Sequence, residues 1–135
     1  PTWFIIQSND KRLLLTKAGL ENEKLCFYKF NFRSLKFKDK VFEIPIEEIE
    51  DIVFNPFIYE IPVTIVHNGK KTKVTVINDL TPLLDEILPL CTEKSRIPPY
   101  KITVLNEKLK IQRILEILRD SLVGLLLLFL LILRF

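Results

Sequence analysis

His67, Cys26 and Cys91 are the residues of this chain best suited to bond-making chemistry, and the sequence holds no other histidine or cysteine. Nucleophilic catalysis needs a hydroxyl or thiol within hydrogen-bond reach of a base. No Ser or Cys lies near His67 in sequence, and His67 adjoins an Asn68-Gly69 pair, which reads as an exposed turn. Two cysteines and one histidine cannot complete the four-ligand shell of a structural zinc site. Both cysteines fall in apolar runs, the setting of buried thiols in a reducing compartment. The run "EEIED" at residues 47–51 groups carboxylates. A hard cation needs six or more oxygen ligands, which the sequence does not supply nearby, so the run reads as a solvated edge that blocks further strand pairing. Gly19, Gly69 and Gly124 are the only glycines, too few for a phosphate-cradling loop. The expectation is a non-enzyme with no cofactor, no metal and no identified small-molecule substrate.

The other residues with chemistry to offer are cations. In "FYKFNFRSLKFKDK", residues 27–40, aromatic side chains alternate with positive ones. Residues 11–40 carry nine Lys and Arg against three acids, residues 41–66 carry six acids and no Lys or Arg, and residues 94–120 are again basic by four. A net charge of only +3, segregated in this way, suggests distinct faces more than a uniform nucleic-acid coat. Lys29, Arg33, Lys36, Lys38 and Lys40 are the candidate site for anionic lipid or an acidic partner. Each such group near an anionic leaflet contributes roughly 1 kcal/mol. The plainer alternative is a half-buried strand with Phe30 and Phe32 toward the core and Lys29 and Arg33 in water. Base stacking needs aromatics and cations on one exposed face. Alternation puts them on opposite faces, so nucleic acid is an unlikely partner.

These groups must be positioned by strands. Residues 3–77 read as β structure: "WFIIQ", "RLLLT" with Gly19 as a bend after it, and a strand from Leu25 whose parity flips at Ser34. A bend is expected at Arg33-Ser34, then a short strand, then a turn at Lys38-Asp39-Lys40. Pro45 marks an edge or bulge. Two β-branched runs flank Asn68-Gly69, the pair favoured by two-residue hairpins because both positions need positive φ; Thr64, Val66, Val74 and Val76 are expected to supply the cross-strand faces. The period then changes. Thr81 and Pro82 open an amphipathic helix bearing Leu83, Leu84, Ile87 and Leu88, and Pro89 should end it. "TEKSRIPP" reads as a linker and "YKITVL" as a possible extra strand. Asn106 caps a long helix striped by Ile111, Ile114, Leu115, Leu118 and Leu122.

Residues 122–133 contain no polar side chain. Twelve helical residues run roughly 18 Å, against about 30 Å for a bilayer core. A small β body has nowhere to bury a helix that is apolar all round, and a basic amphipathic segment precedes it. Membrane contact is therefore expected, as a short tail anchor or partial insertion, with a full transmembrane helix if the sequence continues beyond. Burial in a partner or a homo-oligomer is the alternative. Leu122, Leu125, Leu126, Phe129, Leu130 and Leu133 are the candidate contacts, with Arg134 snorkelling at the far end.

The order "RLLLTKAGLEN", basic strand, "FEIPIEEIEDIVF", "VTIVHNGKKTKVTV" and "TPLLDEILPL" resembles a pleckstrin-homology-like domain, nearest in style to prokaryotic PH and GRAM-like domains. The segment running from Ile44-Pro45-Ile46 to Ile49 and Ile52 is part of that likeness, which covers residues 3–91. The resemblance implies two roughly orthogonal antiparallel sheets closed at one corner by a helix, and a binding function, often beside a membrane. Phosphoinositide-binding members place cations around the first hairpins, loosely matched here by Lys11, Arg12, Lys17 and the 29–40 group. The first loop lacks their tight Lys-x(n)-Lys-x-Arg arrangement. The expected organisation is a mainly β, α+β chain: a PH-like barrel or sandwich with its capping helix over 1–91, a linker and possible strand over 92–105, and a long helix over 106–135. The expected role is a membrane-associated binding or scaffold module, with its β body on the cytoplasmic side, as an accessory subunit of a membrane-protein complex. The alternative is a cytoplasmic, soluble subunit that assembles through the C-terminal helix.

Overall fold

The computed structural model describes the backbone of residues 3–9, 12–31, 33–77 and 79–134, and side chains at 16, 18–30, 33–36, 40–77 and 79–134. Seven strands come first: β1 (Trp3–Asn9), β2 (Arg12–Glu21), β3 (Lys24–Asn31), β4 (Lys36–Pro45), β5 (Ile49–Phe54), β6 (Ile61–His67) and β7 (Lys70–Val76). Two helices follow, α1 (Thr81–Lys94) and α2 (Pro99–Arg134). The fold is mixed α+β. The sheet is antiparallel throughout, in the order β4-β3-β2-β1-β7-β6-β5. It consists of two meanders, and among the described residues the ladder that joins them pairs Ile5, Ile6 and Gln7 of β1 with β7. Among the described residues no ladder joins β4 to β5, so closure of the sheet into a barrel is not shown.

Local chemistry explains the hairpins. Asn68 (φ 48°) and Gly69 (φ 73°) form the two-residue loop between β6 and β7, as their types demand. The β2–β3 loop is also two residues, Asn22 and Glu23, both at positive φ. The bend expected at Gly19 is absent: Gly19 sits inside β2, paired with Cys26. Chain reversal after β3 comes at residues 33–35, as the parity flip requires. The further turn expected at Lys38-Asp39-Lys40 does not form. β4 runs straight through those positions, and two bulges against β3 absorb the mismatch instead.

Leu25 and Phe27 of β3 face the core with Ala18 of β2, and Phe27 stacks on Phe42 at 4.3 Å. Tyr28 and Phe30 are therefore on the outer face, opposite to expectation, while Lys29 lies on the core-side face beyond the end of the core, where it is exposed. On β6 the core takes Ile61, Val63 and Ile65, the first two paired with Val76 and Val74 and the third with Thr72; Thr64 and Val66 point outward. Phe32 lies outside the described residues.

Helix α1 covers this core with Leu83, Leu84, Ile87, Leu88 and Cys91. Pro89 does not end it. The residue is exposed, so the carbonyl left without an amide partner meets water, and the helix continues to Lys94. Thr81 is not the N-cap but the first helical residue, and its amide and hydroxyl both donate to Glu116 of α2, the amide at 3.1 Å.

Helix α2 starts at Pro99, so "YKITVL" is helix and not strand. Its 36 residues span about 54 Å at about 1.5 Å per residue. The stripe that meets the body is Ile102, Leu105, Leu109, Gln112 and Glu116. The stripe expected from hydropathy is exposed at Ile111, Ile114, Leu118 and Leu122 and only partly covered at Leu115. The linker before the helix and the helix together cover the free edge of β5. The Arg96 amide donates to the Ile49 carbonyl at 2.9 Å, Lys101 pairs with Asp51 at 3.2 Å, and Lys108 donates to the Phe54 carbonyl at 3.0 Å.

Candidate functional site: the exposed end of the long helix

The residues suited to catalysis are dispersed. His67 shares a 2.8 Å hydrogen bond with Thr72 across the β6–β7 hairpin. Cys26 and Cys91 are free, buried thiols; burial pushes Cys26 up, and pushes Cys91 up to about 11. In the "EEIED" run, Asp51 pairs with Lys101 and Glu50 accepts from the Gly69 amide at 3.2 Å. Among the described residues no group of three His, Cys, Asp or Glu side chains is placed to hold a metal ion.

The basic candidates do not form one open patch. Lys29, Arg33 and Lys36 are exposed. Lys40 donates to Glu43 at 3.2 Å, and that hydrogen bond raises its pKa. The hydrogen bond from Lys40, with the charge of Lys24 next, lowers the pKa of Glu43. Tyr28 donates to Glu21 at 2.6 Å on the same outer face. Aromatics and cations thus share a face after all, but two glutamates neutralise it. The Lys38, Arg12 and Lys17 side chains lie outside the described residues, as does Lys11.

The basic segment before the apolar run faces inward too. Arg113 pairs with Asp85 at 2.7 Å, and Arg119 pairs with Asp79. Together with Lys101 and Lys108, these cations hold α2 to the body.

Beyond Asp120 the helix leaves the body. Every residue from 121 to 134 is exposed, and the large apolar ones from Leu122 to Leu133 retain between 52% and 66% of their accessible surface. Leu122, Leu125, Leu126, Phe129, Leu130 and Leu133 share one side of the helix, the other apolar residues of the run cover the remaining sides, and all are exposed. The expectation of a transmembrane helix or tail anchor is corrected here: no helix among the described residues is long and apolar enough to cross a membrane. The apolar run is twelve residues, with Arg119 and Asp120 before it and Arg134 after it.

Two features beside this exit were not anticipated from sequence. Gln112, fully buried, accepts from the Phe57 amide at 2.9 Å and donates to the Phe57 carbonyl at 3.0 Å. That clamp fixes the loop between β5 and β6 with the Phe57 and Tyr59 side chains outward, 53% and 67% exposed and edge-to-face at 6.4 Å. With Ile77, Asp79 and Arg119 they border a cleft at the point where the apolar run begins. The only signal in the sequence was a pair of polar residues, Gln112 and Glu116, spaced to continue the buried stripe.

The two candidate sites lie apart. One row of paired residues crosses the sheet through Lys29, Thr16, Ile5, Val76 and Ile61. The 33–35 turn lies on the side of that row where the Asn68-Gly69 turn lies, while Ile77, Asp79 and the exit of α2 lie on the other. No protein-family model matches this sequence, and a search of curated proteins finds no match either.

Proposed function

We propose that this chain is a non-catalytic binding module that works at a membrane surface, seated by the apolar end of α2 in one leaflet without crossing it, as a scaffold or accessory component of a membrane assembly. The observation that carries this reading is that residues 122–133 are apolar and bare on every side. A closed symmetric bundle gives each helix an equivalent place with an outward face, and that face would still be leucine in water. Acyl chains cover all sides at once. Burying side chains already about half exposed gains roughly 1 kcal/mol each, so the run contributes on the order of 10 kcal/mol. An oblique seat within one leaflet lets Arg134 snorkel back toward the headgroups. Phe57 and Tyr59 at the base of the run suit the headgroup layer, where amphipathic rings concentrate.

The β body is best read as PH-like: two antiparallel meanders with α1 packed over their core support that likeness. Its two free buried thiols support a place on the cytoplasmic side. In this orientation the 33–35 turn points away from the leaflet, so exposed Lys29 and Lys36 are better placed for an acidic partner than for lipid.

Flotation with vesicles of mixed neutral and anionic lipid tests the reading. The full chain is expected to float and to resist a high-salt wash, whereas Leu126→Glu/Leu130→Glu should remain at the bottom of the gradient. A full chain that stays unbound, or that high salt releases, refutes the leaflet seat.

A further inference from the structure

The outer face of α2 carries a second pattern that a leaflet does not explain. Val104, Ile111, Leu118, Leu125 and Ile132 recur every seven residues, and the intervening positions are Glu107, Ile114, Ser121 and Leu128. This is the 3.5-residue spacing at which one helix meets another. At about 100° per residue, the seam lies roughly opposite the stripe of Ile102, Leu105, Leu109, Gln112 and Glu116 that meets the body. From Val104 to Leu118 its four apolar members retain between 46% and 59% of their surface. Glu107 within that stretch and Lys110 beside it bar it from acyl chains while leaving a protein partner free to cover the seam.

We propose that a second copy of this chain covers this seam, forming a parallel two-helix coiled coil along α2. Three observations favour the same chain as occupant. The body is held on the far side of α2, so a two-fold axis alongside the seam sets both bodies outward without overlap. The positions beside the seam are Lys110, Leu115, Ile117 and Leu122. In a parallel pair, position 110 of one copy faces 115 of the other, and 117 faces 122, so no like charges meet at these flanking positions, and of the charged residues Glu107 alone faces its own copy. A parallel pairing also sends both apolar ends in one direction, continuing the seam through Leu125 and Ile132. Glu107, the charged residue on the seam, leaves it open at its N-terminal end, and tight packing begins at Ile111. The inference stands independently of the leaflet reading.

The test is oxidative cross-linking of the full chain in mild detergent and in vesicles. Ile114→Cys is expected to give a covalent dimer. Asp120→Cys, on the side of α2 away from the seam, and the unmodified chain with its buried thiols, are expected to give none. Ile114→Lys/Leu118→Lys should weaken self-association about 100-fold and halve the mass in solution. Its circular dichroism should be unchanged, because neither side chain is buried against the body. A monomeric mass for the unmodified chain, equal cross-linking at position 120, or a dimer that survives the double Lys variant overturns the proposal. A monomer that still floats would remove this inference and keep the leaflet seat; a dimer that does not float would do the reverse.

Discussion

Tyr28 shows how a single contact sets a residue's chemistry on an exposed face. The hydrogen bond to Glu21, with a smaller effect from burial, pushes its phenol up to about 12 from an ordinary 10.0. The folded value lies above the unfolded one, so the contact's contribution to stability is complete below pH 10.0 and is lost as pH rises through about 12. Ultraviolet titration of Glu21→Ala should therefore show one phenol returning toward 10, and that phenol should disappear in Tyr28→Phe. No downward shift in Glu21→Ala would mean that another group holds the proton. The same scale explains why the basic run makes a poor lipid site. Glu43 stands within reach of both Lys24 and Lys40, so two of the outer-face cations are already answered.

At the scale of elements, the link between α2 and the β5–β6 loop depends on one amide. Gln112 supplies both the acceptor and the donor that the Phe57 backbone uses. Gln112→Leu keeps the volume but leaves a peptide N–H and C=O without partners, a cost of about 2–4 kcal/mol. Urea denaturation should register that loss, and proteolysis should concentrate in residues 55–60. A loss below about 1 kcal/mol would mean that water replaces the amide. The same clamp shows what hydropathy could and could not reveal. The strands, the Asn68-Gly69 hairpin, the apolar face of α1 and the bare run at 122–133 were all legible, because each rests on side-chain period or turn chemistry. The body-facing stripe of α2 was not. Its lower half is Gln112 and Glu116, polar groups buried because the loop and the start of α1 offer them partners, and the more apolar opposite stripe attracted the assignment instead. Pro89 misled for a related reason: a proline on an exposed helical face need only leave one carbonyl to water. The β2–β3 turn was hidden because Glu23, not Gly, takes the left-handed conformation.

For the molecule as a whole, α2 divides into a half that builds the fold and a half that does not. Its residues up to Arg119 supply core side chains, ion pairs and part of the cover of β5; those from Ser121 to Arg134 are exposed. A chain stopped after Asp120 is expected to unfold within about 0.5 kcal/mol of the full chain. A chain stopped after Pro98 loses Ile102, Leu105 and Leu109 from the core and should not give a cooperative transition. Denaturant titration of the two truncations, read by the fluorescence of Trp3, checks both outcomes. A marked loss of stability on removing only the distal residues would show that the apolar run folds back on the body.

The closure of β5 by α2 also has a consequence for synthesis. The strand leaves the ribosome well before the helix that covers it, and the two are separated by β6, β7 and α1. During that interval the edge of Ile49–Phe54 has no helix beside it, in a nascent chain whose other strands are already able to pair. Glu50 and Asp51 on this edge then act as gatekeepers against intermolecular pairing, before Asp51 finds Lys101 in the finished fold. The acidic block is thus a safeguard of the growing chain as well as a bond of the mature one.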